Sequence, residues 1–171
     1  MKQKAIETGW YLPGYYSHVV ASAVILVIGF FQVFDPIRRR LPFWHRTLGK
    51  VYIVGILGLA APGALIMSFF INRGPWVFAS FISQVSLWYW FTIKAYQKAK
   101  LHDYRAHELW MWRSFALTLA AITLRIYIFI FSFSLKLTEV NSYAILAWLS
   151  WVPNLMIVEW YFQKRAKSMS V

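Results

Sequence analysis

The stretch FWHRTLGKVYIVGILGLAAPGALIMSFFI, residues 43–71, decides how the whole chain is read. Its later part, from Val51 to Ile71, carries no charge. At 1.5 Å of rise per residue, a run of about 20 such residues spans the hydrocarbon core of a bilayer. A helix in water would interleave polar positions on one side, and this run does not. Its opening turns hold His45, Arg46 and Lys50, so a titratable ring and two cations stand where a membrane helix begins. Gly55, Gly58, Ala60, Ala61, Gly63 and Ala64 keep one side low, which allows close approach by another helix or by a flat ligand. Pro62 predicts a kink.

The same pattern recurs along the chain. Of 171 residues, 60% are hydrophobic and 14% charged, against about a quarter charged in a soluble domain. Long apolar runs fall at residues 15–34, 44–71, 76–97, 107–133 and 143–162. The expected fold is therefore an all-α integral membrane bundle of five transmembrane helices, with residues 1–171 forming one domain. The breaks have physical reasons. Asp35-Pro36 and the Arg38-Arg39-Arg40 triplet end the first run, and Asn72-Arg73-Gly74-Pro75 makes a turn. A charged loop at residues 94–105 and a polar link at 136–141 end the third and fourth. The first residues hold Lys2 and Lys4 but no apolar core before Pro13, so no cleaved signal peptide is expected. There is no cysteine, which excludes disulfides, thiolate metal sites and covalent c-type haem.

The net charge of +12 reads differently in a membrane than in water. Twelve lysines and arginines fall on one side of the five runs and four on the other, with Arg113 and Arg125 inside runs. The positive-inside rule places the N-terminus outside and the C-terminus in the cytoplasm. The basic side is then expected to meet anionic lipid headgroups, and nucleic acid is not an expected partner. Trp10, Trp44, Trp76, Trp110 and Trp160 lie near run ends, as an interfacial belt would.

Ionisable groups inside spans are costly, and they are usually paired or functional. In the fourth run, His107, Ser114, Thr118 and Arg125 fall along one helical line, expected to face the bundle interior, with Arg113 pointing elsewhere. In the first run, His18, Ser22, Gly29 and Gln32 share a face, and in the second His45, Gly49 and Tyr52 do. By depth, His45, His107, Gln32, Arg113 and Glu159 form an inner cluster. His18 and Arg125 form an outer one, with Gln32 on the same face of the first helix as His18. Arg125 is expected to bond to His18, Ser83 or Gln84.

These residues carry a resemblance. His45-Arg46-x-x-Gly49-Lys50-x-Tyr52, His107-x-x-Trp110-Met111-x-Arg113-Ser114 and Ala120-Ala121-x-Thr123-x-Arg125, with His18, Gly29 and Gln32 before them, resemble a large bacterial family of predicted multi-span membrane proteins of unknown function. The resemblance covers the chain from His18 to about Phe131. It implies the span pattern, the same polar residues and a multi-pass protein of the bacterial inner membrane, and it supplies no activity. A looser similarity is to membrane cytochromes of the b561 and ferric-reductase type, although the two pairs of in-span histidines of those proteins are missing here.

Three functions follow as expectations. One is a single haem b between His45 and His107 as iron ligands, with Arg113 or Arg46 beside the propionates and Gly49 and Tyr52 bounding it. It would serve membrane electron transfer or a respiratory complex. Another is a cofactor-free accessory or assembly subunit of a membrane complex, in which the polar stripe organises the bundle. The third is a carrier of a quinone-like or small apolar molecule. In the plain reading of the histidines, they bond loop carbonyls at helix ends. No hydrolytic or nucleotide-binding motif is present, so no catalytic residue is assigned.

Overall fold

The computed structural model of the chain describes residues 9–33, 35–134 and 140–168. Lys2, Lys4 and Lys136 fall outside the described residues, as does most of the expected polar link. The described part is helical throughout, with no strand. The helices are α1 (Tyr11–Val33), α2 (Asp35–Arg40), α3 (Pro42–Phe69), α4 (Pro75–Lys100), α5 (Tyr104–Phe129), α6 (Val140–Leu149) and α7 (Val152–Ser168).

Starts and stops follow local chemistry. Pro42 and Pro75 open α3 and α4, where a missing N–H costs nothing and φ is already helical. Gly74 precedes α4 at φ +94°, a conformation that favours glycine. Asp103 caps α5, its Oδ1 accepting from the Ala106 N–H at 3.2 Å. The expected loop at residues 94–105 is shorter than the charges suggest. Helix α4 continues to Lys100, and the chain turns over Leu101 to Asp103, with His102 left-handed at φ +59°. Lysines at the last turn of a helix complement its dipole, so this charge run extends the helix.

Two prolines reshape the apolar runs. Ahead of Pro62 the turn widens into a π-helical segment, Ile56–Ala60, and the Ala61 N–H reaches back to the Ile56 carbonyl. Ahead of Pro153, α6 and α7 are separated by a tight turn at Ser150 and Trp151, where the Trp151 N–H bonds the Trp148 carbonyl. The expected single fifth helix is therefore two consecutive helices.

Among the described residues, four stretches are long and apolar enough to cross a membrane: Tyr11–Val33, Pro42–Phe69, Tyr104–Ser132 and Tyr143–Ser168. Helix α4 has the length, at 26 residues, but Ser80, Ser83, Gln84, Ser86, Thr92 and its basic end lower its apolarity. It packs most closely against α5. Helix α1 packs on α3 through glycines. A Cβ on Gly63 would stand 2.6 Å from the Gly14 carbonyl oxygen and 2.8 Å from the His18 nitrogen, so the two backbones touch there. The core joins Ile25, Tyr52, Ile56, Trp88 and Leu117 from four helices with Trp151 from the turn between α6 and α7. Trp10, Trp44 and Trp76 are exposed near helix ends, as expected of a belt, whereas Trp160 is exposed at the middle of α7 and Trp110 is half-buried.

Candidate ligand site

The polar residues gather at three levels: the end of the bundle carrying Arg38 to Arg40, the middle, and the opposite end. At the basic end, Gln32 lies in the last turn of α1 and is 7% exposed. Its Oε1 rests over Gly49, 3.4 Å from where a Cβ would stand. Its Nε2 is buried and has no hydrogen-bond partner among the described residues. His45 precedes Gly49 by one turn, on the same side of α3. Its Nδ1 is likewise buried and unpartnered among the described residues, and its ring lies within electrostatic reach of His107, Arg38 and Arg46.

His107 is held differently. Its Nδ1–H donates to the Ala95 carbonyl at 2.8 Å. A carbonyl only accepts, so Nδ1 carries the proton, and in the neutral ring Nε2 keeps its lone pair. The structure thus brings His45, His107, Gln32 and Gly49 together. Gln32 belongs here and not with His18, fourteen residues and about 21 Å of helix away.

Arg113 is not available to an anionic ligand. Its Nε and Nη2 donate to Glu159 Oε1 and Oε2 at 2.5 and 2.8 Å, and the guanidinium lies 4.4 Å from the centre of the Trp110 ring. This forked pair ties α5 to α7. Arg46 is exposed.

Tyr52, expected beside a cofactor, is fully buried in a hydroxyl network at mid-bundle. Its hydroxyl lies 3.0 Å from Thr118 Oγ1 and 3.3 Å from Ser114 Oγ. Trp88 Nε1 donates to Thr118 Oγ1 at 3.1 Å, and Ser114 and Thr92 hydroxyls pair at 2.8 Å. Thr118 donates to the Ser114 carbonyl and Thr92 to the Trp88 carbonyl. Every donor in this set has an acceptor, so the network locks α3, α4 and α5 together. The other face of the Tyr52 ring is covered: with Phe115, it packs on Gly29, where a Cβ would meet both rings at 2.8 Å.

At the far end, His18 Nδ1–H donates to the Ala60 carbonyl at 2.8 Å, with Ser22 Oγ 3.3 Å away. Arg125 departs from expectation. Its Nη1 donates to the Ala121 carbonyl of its own helix at 2.9 Å, and the side chain is exposed. Gln84, expected as its partner, donates instead to the Leu117 carbonyl. The stripe is buried at Ser114 and Thr118, and Arg125, on the same line, is exposed near the end of α5, where a guanidinium can reach the interface.

Sequence reasoning did not single out Trp88, Thr92 or Asn154. A signal for the first two existed: Trp88 and Thr92 are four apart on α4, as Ser114 and Thr118 are on α5. Asn154 follows Pro153 and donates to Ala116 O, Thr123 Oγ1 and Ser150 O at 3.1–3.2 Å, stitching α7 to α5.

A bundle with these apolar lengths and a polar core of paired hydroxyls defines a helical membrane protein. Residues 15–162 match the family described as predicted membrane protein, DUF2306, and the chain belongs to that family. No curated protein and no solved structure matches it.

Proposed function

We propose that this is a five-span membrane protein with its N-terminus outside, and that its cytoplasmic end holds a ligand site built on Gln32, His45 and His107. The carrying observation is the pair of buried nitrogens without partners, Gln32 Nε2 and His45 Nδ1. Elsewhere in the bundle the chain spends many contacts on pairing its polar atoms. A buried polar atom left unmet costs about 1–3 kcal/mol, so two of them at one level of the bundle mark a place where something else supplies a partner. The lysine and arginine asymmetry and the length of α4 support the fifth span and the orientation. A bacterial inner-membrane setting follows from the same reading. Mass spectrometry of organic extracts tests the site, comparing purified wild type with the Gln32→Met/His45→Leu double variant. A lipophilic species enriched with wild type and depleted with the variant supports it. Identical extracts from two equally folded proteins would leave a cofactor-free accessory or assembly subunit.

The His107 tautomer favours a second reading, a b-type haem. A ring whose Nδ1–H is pinned to a carbonyl presents Nε2 in the manner of a metal ligand. Among the described residues no three His, Asp or Glu cluster to hold a metal ion, so iron there would depend on a porphyrin. His45 and His107 would hold it, with Arg46 beside the propionates, and it would supply one-electron chemistry. The macrocycle has less room than the sequence suggested, because Gln32 covers Gly49 and Gly29 covers Tyr52. Oxidised and dithionite-reduced spectra decide this reading. A sharp reduced α band lost in His45→Ala and His107→Ala but kept in His102→Ala supports it. A featureless spectrum from protein purified out of haem-replete cells removes it.

A further inference from the structure

Gln32 Nε2 is a donor, His45 Nδ1 is one in its Nδ1-protonated tautomer, and the described acceptors around them are taken. Glu159 is occupied by Arg113, and Asp103 by Lys98 and the Ala106 N–H. The hydroxyls of Tyr52, Thr92, Ser114 and Thr118 satisfy one another. The Ala95 carbonyl is used by His107. An amide carries two N–H donors, and an imidazole with its proton on Nδ1 carries one. What is missing among the described residues is an acceptor, and a ligand oxygen would supply it.

We infer that the ligand is a neutral carbonyl compound of the quinone class, whose oxygen accepts N–H bonds from Gln32 Nε2 and His45 Nδ1. The inference rests on the ligand-site reading above. Neutrality follows from depth. The more deeply buried donor is an uncharged amide, which does not offset the desolvation of a full carboxylate. The arginine near His45 that is exposed, Arg46, stands at the outer surface of the bundle. A carbonyl costs far less to bury and is satisfied by one or two N–H donors. Access is lateral: His45 is half-exposed, and Phe43 and Trp44 beside it are 72% and 52% exposed. They offer an aromatic rim for a ring, with the bilayer taking the tail.

Decylubiquinone is the probe, and quenching of the intrinsic tryptophan fluorescence in detergent micelles is the readout. Wild type is expected to bind it saturably, and Gln32→Met, which keeps the side-chain length without the donors, to bind about 10-fold more weakly. In the absence of quinone, Gln32→Met should melt at the wild-type temperature or above it, since it deletes an unmet buried donor. His45→Leu provides a second loss of binding if Gln32→Met folds poorly. Unchanged affinity in both variants overturns the inference, as does a lowered apo melting temperature with unchanged affinity, which makes Gln32 a packing residue. Displacement of the probe by decanoate at equal concentration also overturns it, since the site would then take anionic heads. If wild type ignores decylubiquinone while its extracts still hold a species lost in the variant, the quinone assignment falls and the site stands. If the extracts match as well, a bridging water accounts for both nitrogens and both readings fall.

Discussion

Replacing Thr118 by Val should destabilise the bundle more than replacing Tyr52 by Phe, although tyrosine is the larger residue and lies at the centre. Thr118 Oγ1 accepts from two donors on two other helices, Tyr52 OH at 3.0 Å and Trp88 Nε1 at 3.1 Å. Without it, the indole N–H of a Trp88 that is 5% exposed has no acceptor, at a cost of about 1–3 kcal/mol. The tyrosine hydroxyl can fall back on Ser114 Oγ at 3.3 Å. Tyr52→Phe removes one interhelical bond, about 0.6–1.7 kcal/mol in a membrane, and strands no donor, because Thr118 and Ser114 donate elsewhere. The expected losses are about 2–3 kcal/mol for Thr118→Val and about 1 kcal/mol for Tyr52→Phe. In the Thr118→Val background, Tyr52→Phe should cost less than it does alone, since only the longer bond remains to lose. Reversible unfolding in mixed dodecylmaltoside and SDS micelles, followed by far-ultraviolet circular dichroism, measures all four corners of the cycle. Equal losses from the two single variants, or strict additivity in the double, would refute a shared acceptor at Thr118.

Other positions make separable predictions. Gly63→Ala should cost about 1–3 kcal/mol, because its Cβ would meet backbone atoms of Gly14 and His18, whereas Gly58→Ala, with nothing within 4 Å, should be close to neutral; thermal melts in micelles compare the two. His18→Phe should lose about 1 kcal/mol with its bond to the Ala60 carbonyl, a loss visible in the same melts. Asp103 is half-exposed, and the Lys98 ammonium and the Ala106 N–H hold its carboxyl below the usual carboxylate range. Its folded pKa is depressed, so its contribution is present above about pH 4 and is lost as pH falls through the folded value. Asp103→Asn should erase that acid-side dependence in a pH series of melts while leaving the neutral range flat. A reporter fused after Val171 should read cytoplasmic and one inserted at Arg73 external, and the reverse pair would invert the orientation.

The apolar runs and most of their boundaries were legible because a membrane span is set by length and hydropathy, both local properties. Pro62 and Pro153 show the limit. Each was visible as a residue, but whether the chain answers with a kink, a π segment or a break depends on what packs against it. The site was legible in part. Depth along each helix placed His45, His107 and Gln32 at one level, and the structure brings them together. Depth does not say which way a long side chain turns. Arg113 chose Glu159 on a helix 46 residues away in sequence, and Arg125 chose its own Ala121 carbonyl. Gly49 and the small face of α3 read equally well as room for a flat ligand or for another helix. The structure gives that face to α1, through Gly14 against Gly63 and Gln32 against Gly49.

The most direct test of the proposed site at the basic end is an experimental density map of the protein extracted with its native lipid. The account predicts density from a non-protein molecule within hydrogen-bond distance, about 3 Å, of both Gln32 Nε2 and His45 Nδ1, and extending toward the lipid side of Phe43 and Trp44. A map in which those two nitrogens bond to each other's helices, or to a single enclosed water, would contradict it.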